Sequence, residues 1–146
     1  MLAALTRPLA GQQPTAVELD VGPVATTARR AFTGAALGVA TRPGGEGRVT
    51  LVAAFGSADG HAALRLEAIA QFLVLPGAKH GPSPYGGVGI AYVGARPYRG
   101  AGALVALVGV ESAPGRPRGW FGEVGFGGGL RLRLGYRWRH FPPWWS

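Results

Sequence analysis

Leu130-Arg131-Leu132-Arg133-Leu134-Gly135-Tyr136-Arg137-Trp138 alternates large apolar side chains with arginines and a single glycine. Successive side chains of a β-strand point to opposite faces, so a strand would collect the apolar residues on one face and the arginines on the other. A helix, with about 3.6 residues per turn, would scatter the arginines around its circumference. The alternation therefore predicts a strand with one apolar and one cationic face.

Length and composition favour a single β-domain. The chain has 146 residues, which predicts one domain. It is 47% hydrophobic, yet it contains no run of 18 apolar residues that would predict a membrane-spanning helix. The 26 glycines lie among alternating Val, Leu, Ile, Tyr and Phe, a pattern that favours sheet over disorder. We expect the domain to occupy residues 15–141, between a segment 1–14 and a tail 142–146.

The formal net charge is +8, almost entirely from arginine. Such a balance is found in proteins that bind nucleic acid, anionic membranes or acidic partners. Here the arginines alternate within strands or lie near turns, and they form no basic stripe or tail. The pattern also lacks the aromatic and basic signature of an RNA-binding sheet, so we expect no nucleic-acid partner.

Turn signals at fairly even spacing divide the chain into eight candidate strands. Residues 61–75 alternate like a strand, but their Ala, Leu, Glu and Gln content leaves a helix as the alternative. The sixth candidate is apolar on both faces. Eight strands with short connections predict an all-β, antiparallel up-and-down barrel. The candidates lie near residues 15–25, 31–41, 48–57, 61–75, 85–94, 99–111, 118–127 and 130–141.

Chain order in such a barrel places the last strand between the seventh and the first. Their polar faces carry Glu123, Glu18 and Asp20, which are opposite in charge to the arginines of the last strand. Charges sealed in a narrow interior need partners, whereas charges on a solvated face do not. The alternative is that they are ordinary solvated charges on a soluble sheet. The predicted interior charge network comprises Glu18, Asp20, Arg65, Glu67, Glu123, Arg131, Arg133 and Arg137, with Arg139 as a candidate addition.

Two stretches resemble the small eight-stranded outer-membrane β-barrels of the OmpA and OmpX type. Leu130 to Phe141, with Gly135 and its aromatics, looks like the last strand that such proteins present to the barrel-assembly machinery. Phe72 to Gly89 looks like a periplasmic turn followed by the next strand. The resemblance implies a monomer in the outer membrane of a Gram-negative-type bacterium, with outer-membrane lipid, including anionic lipopolysaccharide, and the barrel-assembly machinery as partners. It also implies a periplasmic N-terminus and periplasmic connectors near 43–47, 76–84 and 112–117.

The chain departs from this family at both ends and in its loops. Residues 1–13 resemble the end of a signal peptide but are too short for a full one. The chain continues past Phe141 as Pro142-Pro143-Trp144-Trp145-Ser146. The connectors near 26–30, 58–60, 95–98 and 127–129, which would be extracellular, are shorter than the family's usual loops.

Candidate sites of chemistry are sparse. Ser57, Asp59 and His61 are the residue types of a nucleophilic triad, but Asp59-Gly60 is the sequence of a tight hairpin turn, which would separate them. His80 and His140 have no acidic residue at metal-ligand spacing. We therefore expect no enzyme activity, no metal and no cofactor.

The resulting prediction is a transmembrane barrel with a structural or interaction role, a filled interior and no open pore. The alternative is a soluble, lipocalin-like barrel that binds a small apolar ligand and turns its apolar face inward. The predicted lipid-facing residues are Leu130, Leu132, Leu134, Tyr136 and Trp138, and the predicted rim contacts to anionic headgroups are Arg29, Arg30, Arg96 and Arg99.

Overall fold

The computed structural model describes residues 15–27, 31–96 and 99–145, and it contains eight β-strands. Each strand pairs antiparallel with the next along the chain, and β8 pairs with β1. The sheet is therefore a closed up-and-down barrel, which confirms the predicted fold class. The strands are β1 (Ala16–Thr27), β2 (Phe32–Gly44), β3 (Gly47–Ala58), β4 (His61–Leu73), β5 (Pro82–Ala95), β6 (Ala101–Ser112), β7 (Arg118–Gly127) and β8 (Leu130–His140).

The hairpin between β3 and β4 is the tight turn that its sequence predicts. Asp59 and Gly60 both have positive φ, at 49° and 77°. Two-residue hairpins require this backbone because its twist matches that of the flanking strands, and Asp-Gly adopts it readily. The turn pairs Ala58 directly with His61 and so sets the register of the whole β3–β4 pair.

Residues 61–75, for which a helix was the alternative prediction, form a strand over His61–Leu73. β4 pairs along its length with both β3 and β5. Its buried side chains include Arg65, Glu67, Ile69 and Gln71, which recur every second residue. Helix propensities differ by only tenths of a kcal/mol per residue among these types, so burial of one face and two ladders of hydrogen bonds outweigh them.

Some predicted strand ends are wrong. β5 begins at Pro82, three residues earlier than expected, and β2 continues to Gly44. The prolines near 82–84 predicted a connector, because proline cannot donate to a sheet ladder. In the structure Pro82 and Pro84 pair with β6, beyond the last β4–β5 pair at Leu73 and Tyr85, so proline is tolerated there.

Every strand has one buried and one exposed face, and the buried face lines the barrel interior. The interior contains polar side chains together with two small apolar clusters, one around Phe32 and Val52 and one around Ile69 and Leu107. The exposed face is apolar. In the part of the chain that the structure describes, no helix has the length and hydrophobicity needed to cross a bilayer.

Candidate functional site

The outer surface of the barrel carries large hydrophobic side chains from all eight strands. The five residues predicted to face lipid are all on it, with exposed fractions from 40% to 63%. Their neighbours extend the apolar surface around the barrel; examples are Val17, Leu37, Leu51, Phe55, Leu66, Ile90, Leu104, Val108, Trp120 and Phe126. A soluble monomer rarely exposes contiguous apolar surface of this extent, so this face requires an apolar environment.

The interior holds the charged side chains. All eight residues of the predicted network are buried, and with four further charged residues they form two sets of ion pairs, which Gln71 links through hydrogen bonds to Arg48 and Glu123. Among the described residues, seven buried arginines face five buried carboxylates, a surplus of two positive charges. The additional members are Arg42, Arg48, Glu111 and Arg139.

We call the end of the barrel where β1 begins and β8 ends the terminal end. There Glu18 lies 2.7 Å from Arg42 Nε and 2.9 Å from Arg48 Nε. Glu111 accepts from Arg48 at 2.6 Å and from both Arg137 and Arg139 at 2.8 Å. Two carboxylates from β1 and β6 are thus shared by arginines of β2, β3 and β8.

In the middle of the barrel, Asp20 accepts hydrogen bonds from Arg133 and, at 3.3 Å, from Arg137. The ring of Phe121 lies beneath both guanidinium groups, with centroid distances of 5.0 Å for Arg133 and 4.3 Å for Arg137. Guanidinium groups stack well on aromatic faces, so Phe121 fills the space between charges and contributes attraction of its own.

A third group lies nearer the other end, which we call the opposite end. Arg131 donates to Glu67 at 2.9 and 2.6 Å and to Glu123 at 2.8 Å. Arg65 donates to Glu67 at 2.7 Å, and the Tyr85 hydroxyl donates to Glu123 at 2.8 Å. Charge-assisted bonds of this kind are about twice as strong as neutral ones, and they hold the long side chains in fixed positions.

Sequence analysis missed part of this network. The sixth strand was expected to be apolar on both faces, and this is wrong, because Glu111 lies at its end on the buried face with Leu107. Arg48 alternates with Thr50 on the inward face of β3, and that alternation is a signal that identifies it. Arg42 follows Ala40 in the same way on β2.

At the terminal end, the Arg42 side chain connects two turns by donating to their backbone carbonyl oxygens. Arg42 donates to the carbonyl oxygens of Pro76 at 2.9 Å and Pro114 at 2.6 Å. The tail folds back over this end, where the Trp145 indole donates to Gly115 O at 2.8 Å. Phe141 lies under the Arg42 guanidinium at 5.3 Å from ring centroid to carbon. Side chains and turns therefore cover this end of the barrel.

The remaining candidate residues are the Ser57, Asp59 and His61 set, the other histidines and the rim arginines. His61 Nδ1 lies 3.0 Å from the backbone oxygen of Asp59, so this ring nitrogen contacts the backbone of the turn. No cluster of three potential metal ligands occurs among the described residues. Arg96 and Arg99 are exposed near the opposite end, and Arg29 and Arg30 lie outside the described residues.

Comparison with known proteins shows similarity in structure alone. No family model matches the sequence, and no curated protein matches it. The outer membrane protein OprG from Pseudomonas aeruginosa has a TM-score of 0.69 at 11% identity, over 92% of this chain and 100% of that one. The N-terminal β-barrel domain of Pseudomonas aeruginosa OprF has a TM-score of 0.60 at 13% identity, over 88% and 99%. This chain therefore has the fold of eight-stranded outer-membrane barrels.

Proposed function

We propose that the protein is an integral outer-membrane barrel with a structural or interaction role and no open pore. The observation that carries the proposal is the sidedness of the sheet: Leu132 and Leu134 are exposed on the outer face, while Arg131 and Arg133 are buried inside. The strands have 10 to 14 residues, enough to cross a bilayer when tilted. A soluble lipocalin-like barrel would have the reverse orientation, with its leucines inside.

The absence of a pore is inferred from the interior side chains. Arg131 on β8 pairs with Glu67 on β4, and Arg48 on β3 pairs with Glu111 on β6, so ion pairs cross the lumen at two levels. Eight strands enclose a space narrow enough for side chains to close. Opening a channel would require several buried ion pairs to separate together, which favours a closed barrel.

The partners follow from the same orientation. Arg96 and Arg99 are exposed near the opposite end, where they would meet the anionic groups of lipopolysaccharide; the sequence adds Arg29 and Arg30, in the connector between β1 and β2, as candidates for the same contact. The aromatic β8 would be the strand that the barrel-assembly machinery engages. The proposal includes no enzymatic activity, and it takes the protein to be a monomer.

Folding in detergent and conductance test this proposal. We expect the unheated, detergent-folded protein to migrate differently from the boiled protein on a gel, and cell fractionation to recover it in the outer membrane. In planar bilayers we expect no steady single-channel current. A monodisperse monomer in detergent-free buffer would contradict the membrane assignment, and stable conductance steps would contradict the closed interior.

A further inference from the structure

The interior of the barrel contains a cavity of about 400 Å³ at the opposite end. Small apolar side chains of three strands form much of its wall: Ala58 of β3, Val93 and Ala95 of β5, and Ala101 and Ala103 of β6. Val93 and Ala95 also pack against the apolar cluster around Phe32. A cavity of this size with an apolar wall is typical of small-molecule sites.

Two arginines give this cavity a positive charge. Arg65 lines it and is only 2% exposed, and Arg99 lines it from the connector before β6. No carboxylate lines the cavity among the described residues. The nearest carboxylate partner of Arg65 is Glu67, which is already bound by Arg131 through two hydrogen bonds. Positive charge therefore exceeds negative charge at this end of the interior.

We propose that the cavity binds a small monocarboxylate with a short alkyl chain. The carboxylate would lie against Arg65 and Arg99, where charge-assisted hydrogen bonds form, and the alkyl chain would pack against the alanines. A multiply charged anion such as a phosphate ester is disfavoured because the wall offers mostly apolar surface. A neutral apolar molecule would form no charge-assisted hydrogen bond with either guanidinium group, and Arg65 would keep only its bonds to Glu67 and to Gly127 O.

The cavity offers a pair of matched variants that leave the ion network intact. Ala103 faces the cavity, whereas Ala106 lies three residues further along the same strand on the exposed outer face. Leucine at either position adds the same volume to β6. Ala103→Leu would occupy part of the cavity, while Ala106→Leu would add to the apolar outer surface.

Titration of the full-length protein in nanodiscs with hexanoate and with hexan-1-ol tests the site, with empty nanodiscs subtracting partition into lipid. We expect saturable binding of hexanoate, and binding of hexan-1-ol weaker by about tenfold or more, since buried charged hydrogen bonds discriminate at that level. Ala103→Leu should weaken binding, and Ala106→Leu should preserve it. Arg99→Gln should weaken hexanoate binding and leave hexan-1-ol unchanged.

Three results would overturn the proposal: no saturable hexanoate binding, equal affinity for the acid and the alcohol, or equal binding by the two leucine variants. Heat-modifiable gel mobility of each variant shows separately that the barrel is folded. Failure of ligand binding in a folded, membrane-inserted barrel therefore counts against the cavity site alone and leaves the proposed membrane function standing.

Discussion

Arg131 and Glu67 pair across the full width of the barrel. They belong to β8 and β4, which lie four strands apart in the closed sheet of eight and so on opposite walls. Two hydrogen bonds join them, from Arg131 Nε to Oε1 at 2.9 Å and from Nη2 to Oε2 at 2.6 Å. No backbone hydrogen bond connects these two walls. The bidentate pair therefore constrains the distance between them, and it also pairs two charges of the interior.

Loss of the carboxylate in this pair should destabilise the barrel strongly. Glu67→Gln leaves Arg65 and Arg131 buried with one anionic partner fewer, and breaking a buried ion pair costs about 3–5 kcal/mol. We expect a loss of that size in the free energy of unfolding, measured by urea titration of the protein in lipid vesicles. Glu46→Gln, at an exposed carboxylate, is the control and should change stability by less than about 0.5 kcal/mol. Equal effects of the two variants would mean that the pair does not hold the walls together.

Close contact between β1 and β8 should make Gly22 sensitive to substitution. A Cβ at this position would overlap the backbone oxygen of Leu134 and the Cα of Gly135. The strands would have to separate locally, so we expect Gly22→Ala to lower the free energy of unfolding by about 1–3 kcal/mol. Gly47→Ala is the control, because a Cβ there meets no atom within 4 Å. The same urea titration measures both, and a stable Gly22→Ala variant would refute this close packing.

The barrel could be predicted because side chains alternate between the two faces of a sheet at every position of a strand. Arg131 and Arg133 follow this rule, and so do Arg65 and Glu67, where it outweighs helix propensity. The rule assigns a side chain to a face but does not identify its partner. Glu123 is directly opposite Arg133 in the β7–β8 register, yet Arg133 pairs with Asp20 and Glu123 pairs with Arg131. Long arginines reach past the nearest residue, so partners depend on the three-dimensional barrel.

Glu111 shows a second limit of sequence analysis. One acidic residue at the end of an apolar strand does not by itself predict an ion-pair site. The role of Glu111 is seen only in the structure, where Arg48 of β3 and Arg137 and Arg139 of β8 all pair with it. The cavity at the opposite end is also invisible in the sequence. It arises because small residues such as Ala58, Ala95 and Ala103 meet there from strands far apart in the chain.

Removal of one hydrogen bond should loosen the tail at the terminal end. Trp145→Phe keeps an aromatic ring beside Phe141 but loses the indole donor to Gly115 O. A neutral hydrogen bond contributes about 0.5–1.5 kcal/mol, so we expect amide exchange in the 113–117 turn to accelerate by up to about tenfold. Trp144→Phe is the control, since the structure shows no hydrogen bond from that indole among the described residues. Unchanged exchange in Trp145→Phe would show that the tail does not secure the turn.

A charge on the outer face should distinguish a membrane barrel from a soluble one. Leu134 lies in the middle of β8 and is 63% exposed, which places it near the bilayer centre in the proposed orientation. An arginine facing lipid near the midplane costs about 2–4 kcal/mol. We expect Leu134→Arg to lower the free energy of unfolding in vesicles by that amount, with a smaller loss for Leu130→Arg at the strand end, where the side chain can reach the headgroups. If Leu134→Arg left stability unchanged or raised it, water and not lipid would surround the barrel, and the proposed membrane function would be wrong.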